Sequence, residues 1–479
     1  MNTHLSAFEQ IIGQAQIKSA QADKSPHLTD WRGNFSGEAQ AVLFPSTTAQ
    51  VSAILEYADR HNLVLVTQGG NTGLVGGGIP DHSGEAYILS TSKMNKVREL
   101  SVENRSVVVE SGYILENLHN IVEQEGLFFP LNLGAKGSCS IGGNLATNAG
   151  GLNVLRYGNM RDLCLGLEVV LLGGKVMNLL SPLRKDNTGY DLKHLFIGSE
   201  GTLGVITAAS LKLFALPCAR ATALVGIPDI SSGVALLDRL QRRSGDRVDA
   251  FEIIPGTVLE VVSKHFPDIP VPLSPLPEFM ILMEITSTNE DDAAEDSSGQ
   301  LPLDRLMETF LADCFEDGMV TDAVIARNET QRSQLWQLRE HAPEGTKAES
   351  WPVNTDISVT RTNLAAFYEC ATRKVHQVSP EARICGYGHL GDGNLHFNII
   401  ERDGGDPNWA DLREPVKDAI YEALAEIGGS ISAEHGIGQL KAEQLIDVKD
   451  PVALGLMHQI KQTLDPKSLL NPGKILLQP

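Results

Sequence analysis

Residues 137–151 read Gly-Ser-Cys-Ser-Ile-Gly-Gly-Asn-Leu-Ala-Thr-Asn-Ala-Gly-Gly. A loop of the same texture lies upstream, Gly69-Gly70-Asn71-Thr72-Gly73-Leu74, with Gly76-Gly77-Gly78 behind it. Glycine has no Cβ, so neighbouring glycines let backbone N–H groups converge on an anion such as a pyrophosphate. Neither loop has the G-x-G-x-x-G spacing, so the usual dinucleotide fingerprint is absent. A single loop of this kind would read as a tight turn in a glycine-rich β protein. Two, with Asn, Thr and Ser interleaved, favour an anion cradle.

The surroundings of both loops alternate helix and strand. Val51, Ile54, Leu55 and Ala58 follow the i, i+3, i+4, i+7 spacing of an amphipathic helix. The apolar run 63–66 then predicts a buried strand ending at Gly69-Gly70. Further strands are expected at 107–110 and 167–172, the latter turning through Gly173-Gly174 into 176–180 as a hairpin. Beyond residue 220 the texture changes. Prolines 267, 270, 272, 275 and 277 are followed by an apolar strand at 279–285 and by an acidic stretch, 289–300, that reads as a solvated loop.

The chain has 479 residues, 42% of them apolar, and 39 Lys plus Arg against 60 Asp plus Glu, a net charge of −21. At roughly 100–200 residues per domain, two to four domains are expected. The apolar fraction excludes wholesale disorder. The acidic balance excludes a nucleic-acid binder, which needs clustered cations, but leaves room for a small anionic substrate in a local basic site. None of the six cysteines forms a C-x-x-C pair, so free thiols in a reducing compartment are expected. The N-terminus lacks a signal-peptide pattern, and no run nears the ~18 apolar residues of a membrane span. A cytoplasmic protein is the resulting expectation.

A second constellation lies at 388–398, Gly-His-Leu-Gly-Asp-Gly-Asn-Leu-His-Phe-Asn. With Gly391–Asp392–Gly393–Asn394 as the turn, Leu390 would face Leu395 and His389 would face His396. Opposed residues share a face with Cβ atoms about 4.5–5.5 Å apart, so two imidazoles could chelate one ion. Asn398, two residues on, shares that face. Ser432-Ala433-Glu434-His435-Gly436 offers a carboxylate as third ligand. Two histidines and one carboxylate leave a coordination position open, as in catalytic zinc sites, and the set also suits manganese, iron or cobalt. Either histidine alone would read as an ordinary core or surface residue.

The runs 68–74, 137–151 and 198–207 (GSEGTLGVIT) resemble the flavin domain of the vanillyl-alcohol-oxidase-like superfamily, and GHLGDGNLH and AEHGIG resemble FAD-dependent D-2-hydroxy acid dehydrogenases. The likeness to the D-2-hydroxyglutarate branch includes the run 183–192 (LRKDNTGYDL), with D-lactate dehydrogenase and the glycolate oxidase flavin subunit as neighbours. This resemblance implies an α+β fold: a two-subdomain FAD-binding domain, an α+β substrate or cap domain, and a C-terminal segment returning to the flavin. The expected divisions are an N-terminal helical segment at 1–29, then domains at 30–219, 220–425 and 426–479.

The resemblance further implies FAD against Gly69, Gly70, Asn71, Thr72, Gly73, Leu74, Gly137, Ser138, Gly142, Gly143, Asn144, Asn148, Glu200, Gly201, Ile206 and Asn471. Some relatives carry a flavin-linked histidine in the first loop. This chain has Asn71 there, which implies non-covalent FAD. His389, His396 and Glu434 would hold a divalent metal, zinc first. Arg339 would take a substrate carboxylate, Asn398 and His435 would contact substrate, and His435 would be the general base. The reaction implied is oxidation of a D-2-hydroxy acid to its 2-oxo acid, with electrons passed to a separate acceptor such as electron-transfer flavoprotein or a quinone. Relatives suggest a homodimer. The competing expectation is a flavin-free metal hydrolase or oxygenase on the same three ligands.

The substrate is where the chain departs from its pattern. Hydroxyglutarate-type enzymes carry a threonine four residues after the carboxylate-binding arginine and a lysine fifteen after it. Those places hold Pro343 and Asn354 here. Loss of a hydroxyl donor and of a cation implies a reduced preference for dicarboxylates, unless Lys347 substitutes for the missing charge.

Overall fold

The computed structural model describes residues 3–295, 297 and 299–477. It divides into two compact units, one comprising Met1–Gly151, Gly158–Ala215 and Glu434–Pro479, the other Leu152–Tyr157 and Leu216–Ala433. These divisions differ from those expected at 219/220 and 425/426.

The first unit holds two larger sheets and a two-stranded one, Leu127–Phe128 with Phe214–Ala215. In one, Ala41–Leu43, Tyr87–Ser90 and Leu65–Gln68 run parallel, in that spatial order, with the short antiparallel Ile17–Lys18 at the edge. The expected helix spans Thr48–His61 and crosses over between two of these strands. Thr47 caps its start, accepting from the Gln50 N–H, and Asn62 in the left-handed region ends it. The Leu63 N–H still bonds to Ala58 C=O at 2.9 Å. That helix exit explains why the strand begins at Leu65 rather than at 63. The N-terminal helix Thr3–Ile12 sends Phe8 and Ile12 into the core formed by Ile54, Leu55, Leu65, Tyr87 and Leu470.

The second sheet is antiparallel throughout, in the order Val97–Ser101, Ser106–Glu110, Val205–Lys212, Cys164–Val170 and Val176–Asn178. Its glycine hairpin forms as read: Gly173 and Gly174 both have positive φ, and Val170 pairs with Val176. The strand starts at Cys164 and stops at Val170, since Leu171 already closes the turn onto Lys175.

The second unit is built on a seven-stranded antiparallel sheet ordered Asp322–Ile325, Ala219–Ile227, Phe279–Ser287, Val248–Pro255, Arg383–His389, Asn394–Ile400 and Ile357–Ser358. Strand alternation sorts its side chains onto two faces. One bears Phe279, Ile281 and Phe397 and packs on helices Ile230–Ser244 and Leu364–Val378 through Gly233, Phe367 and Tyr368. The other buries Leu224, Ala250, Ile254, Met280, Leu282, Cys385 and Tyr387 against Val258, Val262, Leu335, Trp336, Leu338 and Ala342. That second face also carries the polar cluster described next. The expected loop 289–300 contains a short 3₁₀ turn, Glu290–Ala293, and its Asp296 and Ser298 lie outside the described residues.

Candidate active site

In the first unit the two glycine loops meet backbone to backbone. A Cβ at Gly70 would stand 2.1 Å from the Ser138 carbonyl oxygen, one at Gly69 2.4 Å from Ser140 Oγ, and one at Gly142 2.5 Å from Ser111 Cβ. At Gly70, where the opposing atom is backbone of the other loop, only glycine permits this approach. Ser140 caps the six-residue helix Ile141–Ala146 by accepting from the Gly143 N–H, and Asn144 is buried beside Cys139. At Gly73 a Cβ would meet no atom within 4 Å, and Thr72, Leu74, Gly137 and Ser138 are at least partly exposed. The backbone is thus packed on one side and open on the other, as a cradle for an extended anion requires.

Asn71, Asn148, Glu200 and Asn471 are four of the nine non-glycine residues with positive φ among the described residues. Such conformations cost about 1–3 kcal/mol each and gather at ligand sites. Each is pinned. Asn71 Nδ2 donates to Thr29 C=O at 2.9 Å, and Asn148 Oδ1 accepts from the Arg161 N–H at 2.9 Å. Asn471 ties Thr67 N–H to Glu200 C=O, and a Cβ at Gly201 would touch it at 3.1 Å. The Glu200 carboxylate accepts from the Ile437 and Gly438 N–H groups at 2.7 and 2.8 Å. Burial pushes its pKa up to about 7, against those two bonds and the Lys441 charge. Glu200 therefore fixes the backbone just after Glu434 and His435, whose side chains lie 3.8 Å apart. Ile206 is buried in its strand.

In the second unit the hairpin forms with a register shifted from the expected one. His389 opposes Asn394, Gly388 opposes Leu395, and Tyr387 opposes His396. The turn is Leu390–Gly391–Asp392–Gly393, because Gly393 takes the positive φ and the Asn394 N–H bonds back to Asp392 Oδ1. The net shift is two residues, an even number, so every side chain keeps its face. His389 and His396 are thus diagonal neighbours, their rings 5.8 Å apart and near perpendicular. Asn398 sits on the same face, buried, accepting from the Thr355 N–H and donating to Tyr387 Oη.

Two residues missed in the sequence complete this cluster. Glu252, fully buried, accepts from Arg339 Nε at 2.9 Å on one oxygen and from His389 Nδ1 at 2.7 Å on the other. Burial alone would raise its pKa, but His389 and Arg339 outweigh it and hold the carboxyl below its usual value. Tyr387 lies under the Arg339 guanidinium, 4.8 Å from ring centre to Cζ, and beside His396. Acids at 249 and 252 in the otherwise apolar run VDAFEIIP were the available signal for Glu252. Pro343 and Asn354 are both exposed, as is Lys347 on the helix Ala342–Glu349.

Residues 39–180 match a family model described as FAD binding domain, and residues 216–475 one described as FAD linked oxidases, C-terminal domain. The chain belongs to the FAD-linked oxidase family. It is 40% identical over 477 residues to a probable mitochondrial D-2-hydroxyglutarate dehydrogenase of Oryza sativa subsp. japonica, covering 99% of this chain and 82% of that protein. It is 35% identical to the D-2-hydroxyglutarate dehydrogenase of Xanthomonas citri pv. viticola, covering 98% and 96%. Among solved structures, p-cresol methylhydroxylase with substrate bound shares the fold at a TM-score of 0.74 and 16% identity, over 99% of this chain and 96% of that one. 4-Ethylphenol oxidase from Gulosibacter chungangensis does so at 0.71 and 19%, over 99% and 97%.

The expected α+β, vanillyl-alcohol-oxidase-like fold is therefore the fold of this FAD-linked oxidase. The FAD-binding match spans both glycine loops, which overturns the flavin-free hydrolase or oxygenase reading. Among the described residues no helix is long and apolar enough to cross a membrane.

Proposed function

We propose that this FAD-linked oxidase is a dehydrogenase that oxidises a D-2-hydroxy acid, of the D-2-hydroxyglutarate type, to the 2-oxo acid. The observation that carries the reading is the cluster on one face of the second unit, where a buried arginine, two imidazoles and Asn398 converge. Relatives at about this identity bear the name D-2-hydroxyglutarate dehydrogenase. Arg339 takes the substrate's C1 carboxylate, for which a guanidinium fork is suited bidentately. Its Nε is engaged by Glu252, so the carboxylate meets Nη1 and Nη2. Asn398 and His435 contact the substrate, and His435 accepts the hydroxyl proton.

When bound, FAD supplies the hydride acceptor, and a divalent cation supplies the Lewis acid that acidifies the substrate hydroxyl. The glycine cradle fits the first, and its lack of histidine at Asn71 makes the flavin non-covalent. His389, His396 and Glu434 are the donors we assign to the second, zinc foremost, with manganese, iron or cobalt also suited. Electrons leave to a separate acceptor, a flavoprotein or a quinone, and a homodimer is the assembly proposed. The cysteines, all free, support a reducing compartment such as the cytoplasm.

A second reading of the substrate follows from Asn354 and Pro343, which supply no cation and no hydroxyl for a distal carboxylate. Both positions are exposed, where an ion pair contributes about 0–1 kcal/mol, so the affinity lost with the cation is at most about fivefold. On this reading the preferred substrate has a neutral tail, as D-lactate does. A panel of D-2-hydroxy acids with an artificial electron acceptor tests both. A kcat/KM favouring D-2-hydroxyglutarate over D-lactate by a hundredfold establishes the first reading and removes the second. A preference for D-lactate that Asn354→Lys reverses does the opposite, and no oxidation of any member sinks both.

A further inference from the structure

Glu252 and Glu284 are two buried carboxylates on the same face of one sheet, and their partners differ in kind. Glu284 accepts from Arg332 Nε and Nη2 at 2.7 and 3.1 Å, from Trp336 Nε1 at 3.1 Å and from Thr222 Oγ1 at 2.6 Å. Those bonds fasten the helix Glu329–Glu340 to the sheet, and none of the donors belongs to the proposed chemistry. Glu252, by contrast, divides its two oxygens between Arg339 and His389. It opposes His389 directly across the strand pair. A buried carboxylate is costly unless its lone pairs are met, so both partners are held where Glu252 needs them.

Two chemical consequences follow. An imidazole whose Nδ1 donates to a carboxylate carries its proton on Nδ1 and its lone pair on Nε2, which is how outer carboxylates orient and sharpen metal-ligating histidines. An arginine whose Nε is tied from behind presents its Nη1–Nη2 edge, the one suited to a bidentate carboxylate. The Tyr387 ring beneath the guanidinium fixes the plane of that fork.

We propose that Glu252 is the positioning residue of the substrate-side site, coupling the orientation of the carboxylate-binding Arg339 to the tautomer of His389. The inference rests on the functional reading above and adds to it a residue that touches neither substrate nor cofactor.

Glu252→Gln is nearly isosteric and removes one of two acceptors. Arginine does not give up its proton, so the amide oxygen stays with Arg339 and the amide N–H turns to His389 Nδ1. The imidazole is then driven to the Nε2–H tautomer, the wrong one for a ligand at Nε2. Expected is a fall of about 10–100-fold in affinity for Zn²⁺ or Co²⁺, read on purified holoprotein by competition with a chromophoric chelator, with flavin content unchanged. Glu252→Asp keeps the charge and both acceptors, and should recover part of that affinity. Glu252→Ala frees Arg339 as well and should raise KM for the hydroxy acid more than it lowers kcat. Glu284→Gln is the control for mere loss of a buried carboxylate, and should lower the thermal midpoint without moving metal affinity or KM.

Metal affinity and KM within twofold of wild type in Glu252→Gln and Glu252→Ala would overturn the proposal, as would an equal metal defect in Glu284→Gln. If the wild type binds neither cation, the metal reading itself is wrong. The Arg339 half is then judged on KM in Glu252→Ala, a rise supporting it and no change ending it.

Discussion

Replacing Gly70 by alanine should pry open the glycine cradle, and the structure sets the size of the effect. The new Cβ would lie 2.1 Å from the Ser138 carbonyl oxygen and 3.1 Å from both Ser138 C and Cys139 Cα. Ordinary contact begins near 3.4 Å, so the opposing loop must retreat by 3.4 − 2.1 = 1.3 Å. It is not free to do so. The Ser138 and Cys139 N–H groups both bond to Ala135 C=O at 2.9 and 2.8 Å, and Cys139 C=O accepts from the Leu115 N–H at 3.1 Å. Overpacking against such backbone costs about 1–3 kcal/mol. For a unit of this size, about 2–4 °C per kcal/mol, the midpoint should fall by about 2–12 °C. A cradle displaced by an ångström should also lose at least about tenfold in FAD affinity, which corresponds to about 1.4 kcal/mol. Gly73→Ala in the same loop, with no atom within 4 Å of its Cβ, should leave the midpoint in place. Scanning fluorimetry and flavin absorbance per chain read both quantities. A Gly70→Ala protein with wild-type flavin content and midpoint would refute the argument, and so would equal losses in the two variants.

Acid or heat denaturation followed by ultrafiltration should release all of the flavin, since Asn71 occupies the place of a linking histidine; flavin retained on the precipitated chain contradicts this. His396→Ala should abolish divalent-metal-dependent turnover while leaving the yellow colour, and full activity of that variant after chelator treatment would mean that no metal acts there. Glu349 should contribute to acid sensitivity. Burial would raise its pKa, but hydrogen bonds from Arg383, His265 and Lys264 outweigh that and hold it at about 2. Because the folded pKa lies below the unfolded one, the unfolded chain binds more protons between the two, so this contribution is present above about pH 4.5 and is lost as pH falls toward 2. Urea midpoints of wild type and Glu349→Gln should accordingly converge over that window, and a gap that widens on acidification would show the sign to be wrong.

The local pieces of the fold were legible because local rules govern them. The spacing of Val51, Ile54, Leu55 and Ala58 gave the helix Thr48–His61, and paired glycines gave the hairpin at 173–174. The face shared by His389, His396 and Asn398 was legible too, since strand alternation survives an error of two residues in register. The register itself was not. Gly-Asp-Gly-Asn permits several turns, and the positive φ at Gly393, paired with Asn394 beginning the next strand, selected one.

The chain by itself thus determined its family, its anion-cradling loops and the residue types available for chemistry. All of these are carried by short runs whose backbone or side-chain demands are met within a few residues. Tertiary structure alone decided what those residues are tied to. Glu252 is separated from Arg339 by 87 positions and from His389 by 137, and the bonds that Asn471 makes to Thr67 and Glu200 span 404 and 271. No periodicity encodes such pairs. They arise because a buried carboxylate or amide must find partners for its lone pairs and protons wherever the packed sheet brings them.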